Sequence, residues 1–418
     1  LTINGIDVAW EIQAAQDESG SDLVRNTISG DDFHTLSKLY HITATCTFEN
    51  TYARSQQYVS LDSMPIFQFF AFYENDLEVL PGPEMHVRGR VHSNGDLFLG
   101  AGNRIYYEKG RIRAVGDLWR HRKDRDEYQS GTVYVSPDDI AMSTSEDSDL
   151  SGTYDGTKMD FAQMALSKWN GFVMTGEHGV SKIEPPSVGT IDPYTEVDSG
   201  TGDYSYDDAT GTYSHTPGSG DYDRGFYAKN AGMLVIDGQV YLGGVDITSQ
   251  LPAGAVTETT FYDGRENKDV TTTDIDLELL QDTTVDLGNG NTATAWPSNG
   301  LVYAYRTDTT SSSPNGIRLK NGSELPTKFT MVTPNPAYVQ GDFNNVNKKG
   351  AAVIADSMNL LSNNWNDTKS PGSLPYASDT TFNLAMIAGG YETEPGKYNG
   401  GLENYPRFHE RWSGKDCN

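Results

Sequence analysis

A chain of 418 residues with 31 basic and 58 acidic side chains carries a formal net charge of −27, which disfavours nucleic acid and anionic membrane surfaces as partners. Such an electronegative surface repels phosphate backbones and anionic membrane faces, so nucleic acid is not a partner; cation binding, or plain solubility outside the cell, fits better. The length suffices for one elongated domain or two compact ones, and 43 Gly and 24 Tyr beside abundant Thr, Asn, Asp and Ser describe a β-rich, turn-rich chain.

No window approaches the ~18 apolar residues of a membrane span. The chain opens directly at Leu1 without a basic n-region and apolar h-region, as expected where an export segment has been removed or left out. Residues 1–62 read as an N-terminal strand and hairpin region. The first 35 residues are polar and irregular, with one short helical stretch near Val8 to Ala15. The alternation Tyr40, Ile42, Ala44, Cys46, Phe48 predicts a strand, and Arg54 to Val59 would pair back on it. Two cysteines occur, Cys46 and Cys417, too far apart for a CxxC redox or zinc motif. Cys46 shares its face with Ile42, Ala44 and Phe48, as a buried small hydrophobe would. The alternative is a disulfide in an oxidising compartment, joining Cys46 to Cys417 or linking neighbouring subunits.

Residues 63–135 read as the first part of a repeating β body. It opens on the most apolar run of the sequence, in which Ile66, Phe67, Phe69, Phe70, Phe72 and Tyr73 call for burial in a strand or cover by a partner. Burying each such side chain is worth ~1.5–3 kcal/mol, so the run is a candidate for capping or subunit contact. After the turn Leu80-Pro81-Gly82-Pro83, the chain reaches the stretch around which the rest is organised, Met85 to Trp119. Gly95-Asp96-Leu97 recurs as Gly116-Asp117-Leu118, 21 residues on. Apolar or small residues at every second position (Met85, Val87, Gly89, Val91, then Ile112, Ala114, Gly116, Leu118) mark strands with one buried face. A strand–turn unit returning about every twenty residues predicts a parallel β-solenoid. Gly238-Gln239-Val240-Tyr241-Leu242 and Gly341-Asp342-Phe343 read as distant copies.

Residues 136–230 read as an insertion. One short helix is predicted from Asp160 to Asn170, with Phe161, Met164, Ala165 and Trp169 at helical spacing and Asp160 as N-cap; its apolar stripe would lie on a solenoid face. The Gly/Ser/Asp/Tyr-rich stretch between Ile191 and Arg224 has little to bury and reads as a surface loop or inserted hairpin. The second part of the solenoid occupies 231–364, where short strands alternate with turn words such as Asp263-Gly264 and Pro314-Asn315-Gly316. Residues 365–418 form a loop-rich tail with one apolar run at Leu384 to Ala388.

Several phrases occur together in order: Met64-Pro65-Ile66-Phe67-Gln68, Phe72-Tyr73-Glu74-Asn75-Asp76-Leu77-Glu78-Val79-Leu80-Pro81-Gly82-Pro83, Gly89-Arg90-Val91-His92-Ser93-Asn94-Gly95-Asp96-Leu97, and Phe261-Tyr262-Asp263-Gly264-Arg265-Glu266. Then come Asn315-Gly316-Ile317-Arg318-Leu319, Asn335-Pro336-Ala337-Tyr338-Val339-Gln340-Gly341-Asp342-Phe343-Asn344, Leu361-Ser362-Asn363-Asn364-Trp365 and Gly400-Gly401-Leu402-Glu403-Asn404-Tyr405-Pro406-Arg407-Phe408. As a set, running from about residue 40 to 415, they resemble the PilX-like, type IV pilus-associated surface proteins of bacteria. The resemblance implies export, an extracellular β-rich body and, in many members, a pilin-like hydrophobic N-terminal helix, which this sequence lacks. It supplies no active-site residues.

Parallel β-solenoids also host polysaccharide lyases and hydrolases, and Asp76, Glu78, Asp96 and Asp117 with Arg88, Arg90, Arg111 and Arg113 could furnish acid, base or calcium ligands on one face. The competing reading is that each Asp after Gly makes a turn hydrogen bond while the arginines line a solvated face. His92-Ser93 cannot act together, because adjacent strand residues point to opposite faces, and His409-Glu410 lacks the second His of a zinc protease. Calcium, the one cofactor the acidity suggests, has clustered oxygens at Asp203, Asp207 and Asp208, and at Asp274, Asp276 and Glu278; neither set matches an EF-hand.

The reading reached from sequence is a mainly β, solenoid-containing, non-catalytic extracellular protein of a bacterial surface appendage, pilus-associated or filament-forming. Its partners would be other copies of itself, appendage proteins or surface carbohydrate. A β-helix polysaccharide lyase or hydrolase is the first alternative, and a carbohydrate-binding surface module the second.

Overall fold

The structure is a computed structural model, and it describes residues 2–3, 6–17, 19–28, 33–48, 51–125, 127–136, 138–142, 161–185, 191–192, 202–207, 212–217, 225–369, 374–389, 393–394 and 401–418. The chain is mainly β. The N-terminal region is an antiparallel sheet of β1 (Thr2–Ile3), β2 (Ile6–Ala14), β3 (Val24–Ile28), β4 (His34–Phe48) and β5 (Thr51–Ser63). β4 is its spine, flanked by β2 and β3 on one side and β5 on the other. Tyr40 lies opposite Val59 and Thr45 opposite Arg54, the hairpin that the alternation predicts. The helical stretch expected near Val8 to Ala15 is instead strand β2, with Val8 beside Cys46 and Ala14 beside Tyr40. Apolar side chains at every second position pair with a long partner strand there, which outweighs the weak local helical pattern.

The next block is built by three visits to the same three sheets. β6 (Phe69–Tyr73), β7 (Leu77–Val79) and β8 (Met85–Val87) are followed in the same order by β9 (Arg90–Ser93), β10 (Leu97–Leu99) and β11 (Arg104–Tyr107). Then come β12 (Ile112–Ala114), β13 (Leu118–Trp119) and β14 (Thr132–Val135). Each visit lays its strand parallel to the one before: Leu77 beside Leu97 beside Leu118, Met85 beside Ile105 beside Val133, and Val91 beside Ile112. Their inward side chains, among them Leu77, Val87, Val91, Leu97, Ile105, Ile112 and Leu118, form one core cluster. β15 (Ile140–Met142) pairs antiparallel with β14. Helix α1 (Phe161–Trp169) buries Phe161, Ala165 and Trp169 in the same cluster. The expected cap, Asp160, lies outside the described residues. β16 (Val173–Met174) adds a fourth parallel strand beside β12.

After the hairpin of β17 (Gly202–Asp207) and β18 (Thr212–Pro217), the second block alternates between two sheets. β19 (Met233–Ile236) and β20 (Gln239–Leu242) form an antiparallel hairpin. Gly238-Gln239, expected as a solenoid corner, is part of that hairpin. Asp237 and Gly238 both have positive φ, 47° and 82°, the signature of a two-residue reversing turn. β21 (Val245–Asp246) extends that sheet, and β22 (Val256–Asp263) and β23 (Lys268–Asp276) form a second hairpin. A small hairpin follows, β24 (Thr284–Asp286) with β25 (Thr292–Thr294).

From there the chain steps between the sheets. β26 (Leu301–Tyr305), β28 (Phe329–Val332), β30 (Ala351–Ala355) and β32 (Ala385–Ala388) go to one; β27 (Gly316–Lys320), β29 (Ala337–Gln340), β31 (Met358–Leu361) and β33 (Arg407–Phe408) go to the other. All these ladders are parallel. Val302, Met331 and Val353 from one sheet and Leu319, Val339 and Leu360 from the other share the largest core cluster. The C-terminal stretch, expected as a loop-rich tail, therefore supplies the last strand of each sheet. It also returns to the first block, where Thr393 Oγ1 donates to Glu78 Oε2 at 2.9 Å and Leu80 N–H to Glu403 Oε1 at 2.7 Å.

Candidate functional site

The Gly-Asp-Leu copies sit one above the other at a corner of the first block. Asp76 Oδ1 accepts the N–H of Asp96 at 2.7 Å, and Asp96 Oδ1 accepts the N–H of Asp117 at 2.8 Å. Asp96 Oδ2 also accepts from Trp119 Nε1 at 3.0 Å. Each carboxylate thus bonds the backbone of the next visit, and Asn75-Asp76-Leu77 is an earlier copy that the triplet Gly-Asp-Leu conceals. The glycines have a steric reason: a Cβ on Gly95 would stand 2.2 Å from Asp76 Oδ1, and one on Gly116 would stand 2.1 Å from Asp96 Oδ1. In the second block Asn363 Oδ1 accepts from Asp342 N at 2.9 Å, and Asp342 Oδ1 from Thr381 N at 2.8 Å.

The arginines do not converge on these carboxylates. Arg88 pairs with Glu108 at 2.6 Å on the surface. Arg90 and Arg113 lie 5.0 and 5.3 Å from the Phe33 ring, and Arg111 reaches Met174 Sδ at 3.7 Å. Glu78 is buried and accepts from Lys123 N at 3.0 Å and from Thr393, while the Lys123 ammonium pairs with Asp76 at 2.8 Å. Burial, reinforced by Glu78, raises its neighbour Glu403 to a pKa of about 7. His92 stacks on Phe72 and its Nε2 meets Asn94 Oδ1 at 2.9 Å, whereas Ser93 Oγ donates to Asn75 O at 2.7 Å. The two side chains serve different contacts, as their opposite directions require.

Phe69 packs on Phe33 and Phe72, and Tyr73 on Tyr405. These members of the apolar run are used inside the chain, while Phe67 and Phe70 stay exposed. Ile66 lies in a 3₁₀ turn. Both cysteines are free: Cys46 is held beside Val8 and Ala53 in the N-terminal sheet, and Cys417 bridges Thr380 at the other end of the chain. No bond joins them within the chain.

Of the calcium candidates, Asp203 and Asp207 lie in β17 and Asp208 lies outside the described residues. Asp274 is committed to Arg318, Asp276 caps the helix Leu277–Gln281 by accepting from Leu279 N at 3.0 Å, and Glu278 lies within that helix. Among the described residues no three His, Cys, Asp or Glu side chains are grouped to hold a metal ion.

The densest polar constellation lies elsewhere, on the outer face of the second sheet. Cross-strand pairing sets Asp274, Arg318, Tyr338, Asn359 and Arg407 in one row over β23, β27, β29, β31 and β33. Outward polar residues of a sheet ordinarily meet water. Here the turn after Phe261 and the loop carrying Trp365 cover them, so Arg318 is 0% and Tyr338 and Asn359 each 1% exposed. Arg318 Nε meets Asp274 Oδ1 at 2.8 Å and its Nη1 meets Asp367 Oδ1 at 2.6 Å, under the Phe261 ring at 5.1 Å. Burial would lower the Arg318 pKa, but the two carboxylates outweigh it and hold it above its ordinary value.

Beside this pair, Asp263 accepts from Arg265 N at 2.7 Å, Glu266 N at 3.0 Å and Tyr338 Oη at 2.6 Å. His409 Nε2 meets Asn359 Oδ1 at 2.9 Å, and its Nδ1 stands 3.5 Å from Asp263 Oδ1. Burial pushes His409 down to about 4, so the imidazole is neutral at pH 7. Glu410 accepts from the N–H and Oγ of Ser362 at 2.6 and 2.7 Å, and Arg407 pairs with Glu266.

Asp263, Arg318, Tyr338 and His409 are closed off from solvent, whereas Asp367, Glu266 and Arg407 at the edge are partly exposed, and Asp263 and Asp274 are engaged by fixed donors. Chemically the cluster can lock the C-terminal strand and the Trp365 loop onto the sheet. In the sequence His409-Glu410 resembles only an incomplete zinc motif, and no local pattern connects Asp263, Arg318 and Tyr338. One signal was available: the phrases around residues 261, 315, 335, 361 and 400 that carry the family resemblance all converge here.

No family model and no curated protein matches the chain. A crystal structure of the competence-associated pilin ComZ from Thermus thermophilus aligns over 100% of this chain and 82% of its own, at 11% identity and a TM-score of 0.28. A likeness at that level carries no argument about this chain.

Proposed function

We propose that this chain is a non-catalytic, extracellular structural or adhesive protein of a bacterial surface appendage, and that its two blocks are coils of a parallel β-solenoid. The observation that carries the reading is the aspartate column. Asp76, Asp96 and Asp117 recur at one corner, and Asp76 and Asp96 are spent on binding the next visit of the chain rather than on a shared cleft. The sealed Asp263–Tyr338–His409 cluster supports it in the same way, by tying elements together where a catalytic group would need access. No membrane-crossing helix is present among the described residues, and attachment would run through protein contacts. Structural calcium on the acidic surface belongs to the same proposal, tested by a rise in thermal midpoint with calcium that chelation reverses.

The reading is tested by immunogold electron microscopy of intact producing cells with antibody to the purified chain. Label along surface filaments is expected. Label confined to the interior after permeabilisation would overturn it, as would degradation of a polysaccharide that Asp96→Asn abolishes in a folded protein.

A further inference from the structure

The N-terminal sheet has two unlike faces. In its register the even-numbered residues of β2, β3 and β4 and the odd-numbered residues of β5 share one side. That side presents Trp10, Ile12, Val24, Ile28, Leu36 and Leu61, which are 62, 51, 52, 65, 47 and 59% exposed. The other side carries Glu11, Gln13, Arg25, Thr43, Arg54 and Asp62, together with the exposed, hydroxyl-bearing Tyr52 and Tyr58. At ~150–250 Å² for a large side chain, the six exposed apolar residues leave on the order of 600 Å² in water. That reaches the upper end of the ~300–600 Å² patch of an ordinary monomer, and it supplies most of the ~800 Å² that each partner contributes to a standard interface.

We propose that this face is covered by the same face of a second copy of the chain, packed sheet on sheet about a two-fold axis. The area of the face and its lack of ionised groups favour that occupant. Two copies of a chain carrying −27 repel each other over most of their surface, and they approach where ionised groups are missing. Within the strands of this face the one permanently charged side chain is Lys38, and Asp22 neutralises it at 2.5 Å. A face of this kind is self-complementary, as a closed two-fold contact requires, and sheets packed face to face sit ~10 Å apart with interleaved apolar side chains. The inference goes beyond the appendage reading and does not depend on it, since the pair would form whether or not the chain reaches a filament.

Sedimentation velocity of the purified chain, from sub-micromolar to its solubility limit, tests the proposal. The mass should pass from one chain to two and rise no further. Ile12→Asp should weaken the pairing ~30-fold or more, as loss of a buried anchor does, and so should Leu61→Asp on the far strand. Gln13→Asp, next to Ile12 but on the polar face, should pair like the unaltered chain. Circular dichroism identifies variants that fold, and two variants on separate strands guard against one that does not. A chain that stays monomeric throughout overturns the proposal, as does open-ended growth or a pair that both variants leave intact. Monomer that floats with neutral phosphatidylcholine vesicles would assign the face to lipid and likewise overturn it.

Discussion

The aspartate column makes a prediction that distinguishes tight corners from loose surface turns. A methyl group at Gly116 would stand 2.1 Å from Asp96 Oδ1 but 3.1 Å from the nearest backbone atoms of Gly95, so the carboxylate is the main obstacle. Gly116→Ala should cost ~1–3 kcal/mol through overpacking. Asp96→Ala alone leaves Asp117 N–H and Trp119 Nε1–H without their acceptor, which costs about 1–3 kcal/mol. In the double variant the obstacle is gone, and the two costs should fall short of their sum by about 1–2 kcal/mol. Gly350→Ala, where nothing lies within 4 Å of the added methyl, should change stability by less than ~0.5 kcal/mol. Urea denaturation followed by circular dichroism and by tryptophan fluorescence measures all four. A neutral Gly116→Ala, or an additive cycle, would refute the view that the glycine exists to admit the preceding aspartate.

The remaining predictions concern buried charge. Arg318→Met takes the guanidinium from Asp274, 2% exposed, and leaves it Lys320 at 3.5 Å and the hydroxyls of Thr259 and Thr272, so it should destabilise by up to ~3–5 kcal/mol; urea midpoints that coincide with the unaltered chain would remove the ion pair from the account. His409 has its pKa depressed from 6.5 to about 4 by burial, so between those values the unfolded chain binds the extra proton. Its contribution is therefore fully present above pH 6.5 and lost as pH falls toward 4, by about 3 kcal/mol in all at ~1.4 kcal/mol per unit. His409→Gln should flatten that acid limb of the stability–pH curve, and an unchanged slope would count against it. Glu403 has the opposite sign. Its folded pKa is raised from 4.5 to about 7 by burial, so its protonated form favours the fold below that range and the advantage disappears as pH rises through it. Glu403→Gln should gain on the unaltered chain between pH 5 and 8; an advantage independent of pH would sink the assignment.

Local patterns carried a large part of the architecture. Strict alternation in Tyr40 to Phe48 and Ile112 to Leu118 marks strands whose two faces differ in polarity, because successive strand residues point to opposite faces whatever the strand pairs with. Phe161, Ala165 and Trp169 reveal α1 for the corresponding reason at the helical period. The sequence could not tell whether a Gly-containing word turned the chain into a parallel return or a hairpin. Gly95-Asp96 and Gly238-Gln239 look alike, yet the second reverses the chain because Asp237 and Gly238 take positive φ. The short β2 failed for a different reason, since its partner strand lies some thirty residues on and no local window contains both.

What the sequence by itself determined was therefore the β-rich class, the apolar face of strands such as Tyr40 to Phe48, and the corner repeat of Gly and Asp; all follow from chain geometry over a few residues. Tertiary structure alone decided which carboxylate meets which donor. Asp263, Arg318, Tyr338 and His409 come together only because the strands from β22 to β33 of one sheet and two covering loops stack in register over about a third of the chain. Stacking also decides exposure: it seals the polar outer row of the second block while leaving the apolar side of the N-terminal sheet open. Burial belongs to the assembled surface, and alternation along one strand records only that its two faces differ.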